Sequence, residues 1–74
     1  MDADNLVRMA NRIGQFFEAM PDATEAAENV AQHLKKFWDP RMRRALLAHV
    51  DRHGVDGLNA MVEVALERHR AVLD

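Results

Sequence analysis

His49 and His53 stand four residues apart, and on a helix such a pair shares one face from which both imidazoles could ligate a metal. No glutamate follows the first histidine, so the metalloprotease pattern is not met. The simpler reading places both rings in the last turns of a helix, where cations complement the negative pole of its dipole. His33 and His69 lie on other segments and add no ligand to that pair. Among the carboxylates, Glu25 with Glu28 and Glu63 with Glu67 have helical-surface spacings, which suit solvated faces. An acid–base pair needs surroundings that push its two pKa values apart, and a chain of 74 residues has little interior for that. Thr24 is the one aliphatic hydroxyl, and there is no serine, tyrosine or cysteine. Without cysteine there are no disulfides, thiolate metal sites, iron–sulfur ligands or thiol nucleophiles. Gly14, Gly54 and Gly57 are too scattered to cradle a phosphate. The expected set of catalytic, cofactor-binding and metal-binding residues is empty.

Recognition chemistry is better represented. The run Lys36-Phe37-Trp38-Asp39-Pro40-Arg41-Met42-Arg43-Arg44 holds the only tryptophan, and with Lys35 it gathers five cations. Neighbouring residues on a helix differ by about 100° of rotation, so one of Phe37 and Trp38 points inward and the other partly outward. An inward pair under arginine stems, with Arg43 or Lys35 over the indole, would be purely structural. An outward aromatic among arginines would be a partner anchor, since Trp and Arg are enriched at interface hot spots.

The elements that position these residues all read as helix. In the first, Leu6, Met9, Ile13, Phe16, Phe17 and Met20 recur at three- and four-residue steps, with Asp4 as cap and Pro21 as stop. Gly14 interrupts that helix at about 1 kcal/mol relative to alanine. It is either a tolerated imperfection or a point where a bulky group packs close. Asp22 and Glu25 form a capping box for a second helix whose stripe is Ala26, Ala27, Val30, Ala31, Leu34 and one of Phe37 or Trp38. Asp39 and Pro40 suit the cap and first position of a third helix, carrying Met42, Ala45, Leu46, Leu47 and Val50. Gly54 ends it. A fourth helix, capped by Asp56, carries Leu58, Met61, Val62, Ala65, Leu66 and Leu73. No strand-like alternation occurs, so the expected fold is all-α, a small bundle of about four short helices forming one domain over residues 1–74.

A domain of this size buries only about 60% of its unfolded surface and often leans on a partner. The formal net charge of −2 is unevenly spread: −4 over residues 1–30, +4 over 31–53 and −2 over 54–74. A basic middle between acidic ends suits the orientation of a protein partner, whereas the acidic ends would repel nucleic-acid phosphate. No apolar run approaches the roughly 20 residues of a membrane span. The acidic start is unlike a signal peptide, so the expectation is a cytoplasmic protein with no membrane or nucleic-acid partner.

Two uncommon stretches, Met9-Ala-Asn-Arg-Ile-Gly-Gln-Phe-Phe17 and Lys36 to Arg44, resemble the delta subunit of cytosolic NAD-dependent, molybdenum-containing formate dehydrogenase. The resemblance extends from about Asn5 to about Leu73. It implies a non-catalytic accessory subunit that supports assembly or stability of the holoenzyme and its molybdenum cofactor site. An alternative is a transient maturation chaperone that handles the cofactor for the catalytic subunit. The implied partners are the catalytic alpha subunit, with beta and gamma subunits in the complex. That complex would hold molybdenum bis-pterin guanine dinucleotide, iron–sulfur clusters and FMN, none of them in this chain. The residues expected at the contact are Ile13, Phe16, Phe17, Lys36, Trp38, Arg41, Arg43 and Arg44.

Overall fold

The computed structural model describes residues 2–74, so Met1 of the expected domain lies outside it. Helix α1 spans Ala3–Phe17 and is capped by Asp2, not Asp4: the Asp2 carboxylate accepts the Asp4 N–H at 3.0 Å. Asp4 thereby becomes a first-turn acid, favourable at the positive end of the helix dipole. The helix stops three residues short of Met20. Glu18 N–H closes on the Gly14 carbonyl at 2.9 Å and Met20 N–H on that of Phe17 at 3.0 Å. Proline denies helical geometry to the residue before it, and the chain unwinds over a whole turn ahead of Pro21.

Helix α2, Ala23–Phe37, starts as predicted, with Asp22 accepting the N–H groups of Thr24 and Glu25 at 2.9 and 3.3 Å. Its predicted apolar face is buried throughout: Ala26, Ala27, Val30, Ala31 and Leu34. Helix α3, Pro40–His53, is capped by Asp39, which accepts from Arg41 and Met42 at 2.8 and 3.4 Å, with Pro40 in the first turn. Gly54 ends α3 at φ 81°, where a side chain would be strained.

The fourth predicted helix begins later and is broken. Helix α4 spans Ala60–Arg68 and α5 spans Arg70–Leu73. Its cap is Asn59 and not Asp56, because a long-range contact selects it. Asn59 N–H donates to Asn11 Oδ1 at 2.8 Å, Asn11 Nδ2 donates to the Gly57 carbonyl at 2.8 Å, and Asn59 Oδ1 accepts from Met61 and Val62. The break falls at His69, with φ −116° and ψ 24°. It re-aims the last turn so that Leu73, 1% exposed, enters the core.

Among the described residues no strand occurs, and the all-α bundle expected from the sequence is the fold found. Helix α2 is central, packing against α1, α3, α4 and α5. The core draws on every helix, through Leu6 and Ala10, Val30 and Leu34, Leu46 and Leu47, Val62 and Leu66, and Leu73, with Trp38 beside them. Each large apolar side chain buried there contributes about 1.5–3 kcal/mol. The buried residues of α1 are Leu6, Ala10 and Gly14, whereas the predicted stripe had passed over the two small ones. Small residues let α1 approach α4 closely. A Cβ placed on Gly14 would lie 2.6 Å from Asn59 Cγ and 2.8 Å from Val62 Cγ2, so this is a point of close packing that a side chain could enter only by displacing its neighbours.

Candidate partner-docking face

The two adjacent aromatics at the end of α2 divide sharply. Trp38 takes extended backbone after the helix and its indole is 6% exposed, while Phe37, still helical, is 72% exposed. On α1 a second phenylalanine, Phe16, is 74% exposed. Three ring contacts join them. Phe16 meets Phe17 edge-on with centroids 5.0 Å apart, Phe17 meets His33 at 6.1 Å, and His33 meets Phe37 at 4.7 Å. Edge-to-face contacts at these separations are favourable for aromatic rings. The result is one continuous aromatic strip across α1 and α2.

Two shallow depressions follow this strip. One, of about 300 Å³, is lined by Arg12, Ile13, Phe16, Phe17 and His33. The other is lined by Phe17, Asn29, Gln32, His33, Lys36 and Phe37. They share Phe17 and His33, so the surface is continuous, and its charged lining groups are cationic. Large exposed apolar patches with a polar rim mark interaction sites on small soluble domains.

This geometry sorts the eight residues expected at a contact. Ile13, Phe16, Phe17 and Lys36 come together on the strip, although the sequence separates them by up to 23 positions. Arg41 and Arg44 are exposed on the first turns of α3. Trp38 and Arg43 are interior. Arg43 is 7% exposed, and its guanidinium donates to the carbonyls of Trp38 at 2.7 Å, Lys35 at 3.2 Å and Leu73 at 3.2 Å. The Lys35 carbonyl is among those a helix end leaves without an intrahelical partner, and such ends carry negative partial charge. Arg43 therefore ties the ends of α2 and α5 together.

The face also contains Phe37, His33 and Arg12, which sequence reasoning left out of the contact set. Their signal was present: His33 and Phe37 are four apart on α2 and Arg12 adjoins Ile13 on α1. Composition alone made His33 look solitary.

The remaining groups with chemical potential are spread over other surfaces. His49 and His53 do share a face of α3, with ring centroids 5.0 Å apart. Among the described residues no group of three or more His, Cys, Asp or Glu side chains is placed to hold a metal. Asp51 and Arg70 form a two-pronged ion pair at 2.6 and 2.9 Å, which lowers the Asp51 pKa by hydrogen bonding and raises that of Arg70. No described helix is long and apolar enough to cross a membrane.

The family described as NADH-dependent formate dehydrogenase delta subunit FdsD matches residues 5–66, from the first turn of α1 into α4. The chain belongs to this family. Both parts of the aromatic strip, Ile13–Phe17 on α1 and His33–Phe37 on α2, fall inside the matched span. No curated protein and no solved structure matches the chain. A formate dehydrogenase delta subunit is a component of a larger oxidoreductase, and the donor set of this chain can be tested against redox groups. Iron–sulfur clusters are held chiefly by thiolates, and this chain has no cysteine. Its described residues also assemble no three-ligand metal site. The described side chains do not fit a cluster or a metal centre held by this subunit alone.

Proposed function

We propose that this delta subunit is a non-catalytic component of an NAD-dependent molybdenum formate dehydrogenase. It docks on the catalytic alpha subunit through the α1/α2 aromatic strip and supports assembly or stability of the holoenzyme around its molybdenum site. Molybdenum bis-pterin guanine dinucleotide, the iron–sulfur clusters and FMN then reside in the alpha, beta and gamma subunits, in the cytoplasm. The observation that carries the reading is the strip itself, which leaves Phe16 and Phe37 about three-quarters exposed while joining them through packed rings. A helical domain with its own core has no folding reason to keep two phenylalanines in water. The exposed cations Lys36, Arg41 and Arg44 would orient the docking. Trp38 and Arg43 act from inside, holding the end of α2 that presents Phe37 and Lys36.

The test is co-expression of the complex with and without this chain, assaying molybdenum occupancy and subunit integrity together. The expected result is lower molybdenum content or loss of subunits without the chain, with stoichiometric retention when it is present. Fully occupied, intact complex without it would overturn the supporting role. Restored molybdenum content with none of the chain retained would favour a transient maturation chaperone. Charge reversal of Arg41 and Arg44 to Glu should weaken co-purification while changing the chain's own stability by no more than about 0.5 kcal/mol each. Undiminished co-purification would confine the contact to the strip.

A further inference from the structure

The docking reading leaves open what chemistry the strip receives, and its shape and rim narrow the choice. Its floor and walls are side chains of two packed helices, Ile13, Phe16 and Phe17 from α1 and His33 and Phe37 from α2. Helical backbone at this position is already hydrogen-bonded within α1 and α2, so it offers no free edge to which a partner could add a strand. A groove between helices receives a helix, whose side chains at i, i+3 or i+4, and i+7 fill successive hollows. The strip runs through three ring-to-ring steps, comparable to two or three turns of such a helix, roughly 11–16 Å.

The rim decides the charge. Arg12 lines the first hollow and Lys36 the second, and no carboxylate lines either. Two copies of this face apposed about a twofold axis would bring like cations together, since each patch would meet itself. A buried strip flanked by like charges is disfavoured, so the occupant has to supply the opposite sign. Resting on the docking reading above, we infer that the strip receives an amphipathic helix of the catalytic subunit, with an apolar ridge flanked by carboxylates. The ridge packs on Phe16, Phe17, His33 and Phe37, and the carboxylates pair with Arg12 and Lys36.

Two variant sets in the co-expressed complex separate this inference from the docking reading. Phe16→Ser with Phe37→Ser removes the apolar contact, and Arg12→Glu with Lys36→Glu reverses the rim. Circular dichroism of each isolated chain controls for folding, and should the charge reversals lower helicity, Arg12→Gln with Lys36→Gln serves the same comparison. The expected result is at least a tenfold loss of co-purification with the catalytic subunit in both sets, and weakening of the parent complex as salt is raised. Loss with the serine set and none with the reversed rim would overturn the acidic-flanked helix and leave the docking face standing. No loss with either set would remove the face itself. A concentration-dependent dimer of the isolated chain that Phe16→Ser with Phe37→Ser abolishes, beside unaffected co-purification, would assign the strip to a second copy and overturn the inference.

Discussion

The two sides of this small bundle use their polar and aromatic residues in opposite ways. Where α3, α4 and α5 close on α1 and α2, polar groups are turned inward or paired: Arg43 on three carbonyls, Asn59 with Asn11 and Glu18, Asp51 with Arg70. On the α1/α2 face, the aromatic rings contact each other and water, and the rim cations Arg12 and Lys36 are exposed. A domain of this size has few interior positions, and the sequence divides them accordingly. Trp38 goes to the sealed side and Phe37, its neighbour, to the open one. Stability and recognition are thus carried by different residues, and substitutions can separate them.

The largest effect is expected on the sealed side, at Arg43. Arg43→Met keeps much of the stem but leaves the carbonyls of Lys35, Trp38 and Leu73 without their donor. Hydrogen bonds to a charged group contribute about 1.5–3 kcal/mol each, and buried acceptors left unpaired add to the loss. Because the three share one side chain, the total is set at about 3–5 kcal/mol. Chemical denaturation should show a midpoint far below the parent, whereas Phe16→Ser with Phe37→Ser should leave it nearly unmoved. Equal losses from the two would erase the contrast between the sides.

Gly14→Ala probes the contact between the sides and should have a smaller effect. Alanine gains about 1 kcal/mol of helix propensity. Against that, its Cβ would sit 2.6 Å from Asn59 Cγ and 2.8 Å from Val62 Cγ2. Asn59 cannot retreat freely, because its side chain caps α4 and donates to Glu18 at 3.0 Å. Overpacking of this kind costs about 1–3 kcal/mol, so a net loss of up to about 2 kcal/mol is expected. A variant more stable than the parent by thermal unfolding would show that Asn59 yields and that the close approach is incidental.

Locally determined features were legible in the sequence. Asp22, Asp39 and Gly54 mark helix ends through bonds to residues two to four positions away, Pro40 suits the first turn through its fixed φ, and each is found as read. The buried face of α2 was legible for the same reason, since a central helix shows its full periodicity. Choices between near-equivalent neighbours were not. Asp2 and Asp4 are the same acid two positions apart, and Asp56 and Asn59 are both good caps. What selects Asn59 is Asn11, 48 positions away, which no local pattern contains. Large residues also drew the α1 stripe toward Phe16, while the real contact runs through Ala10 and Gly14. On the candidate face, Ile13, Phe16, Phe17 and Lys36 follow from their segments. The i, i+4 spacing of His33 and Phe37 puts them on one face of α2, but that this face meets Phe17 of α1 depends on how the two helices pack.

The smallest effect is expected at the ion pair that links α3 to α5, and its pH dependence has a definite sign. Hydrogen bonding to Arg70 holds the Asp51 carboxyl below its ordinary value of 3.8 in the folded chain. A group whose folded pKa is depressed binds fewer protons folded than unfolded across that interval, so its contribution is present above the ordinary value and disappears as pH falls through the lower one. The paired side chains are 46% and 53% exposed, so solvent and salt screen the attraction strongly. Asp51→Asn should therefore lower the thermal midpoint slightly at neutral pH and low salt. The gap between parent and variant should narrow below about pH 4 and with added salt. Measuring the two midpoints side by side at neutral pH, at pH 3 and in high salt checks this directly. A gap that is constant in all three conditions would mean that Asp51 holds α5 through packing and not through charge. The polar closure of the sealed side would then rest on Arg43 and on the Asn59 bonds to Asn11 and Glu18.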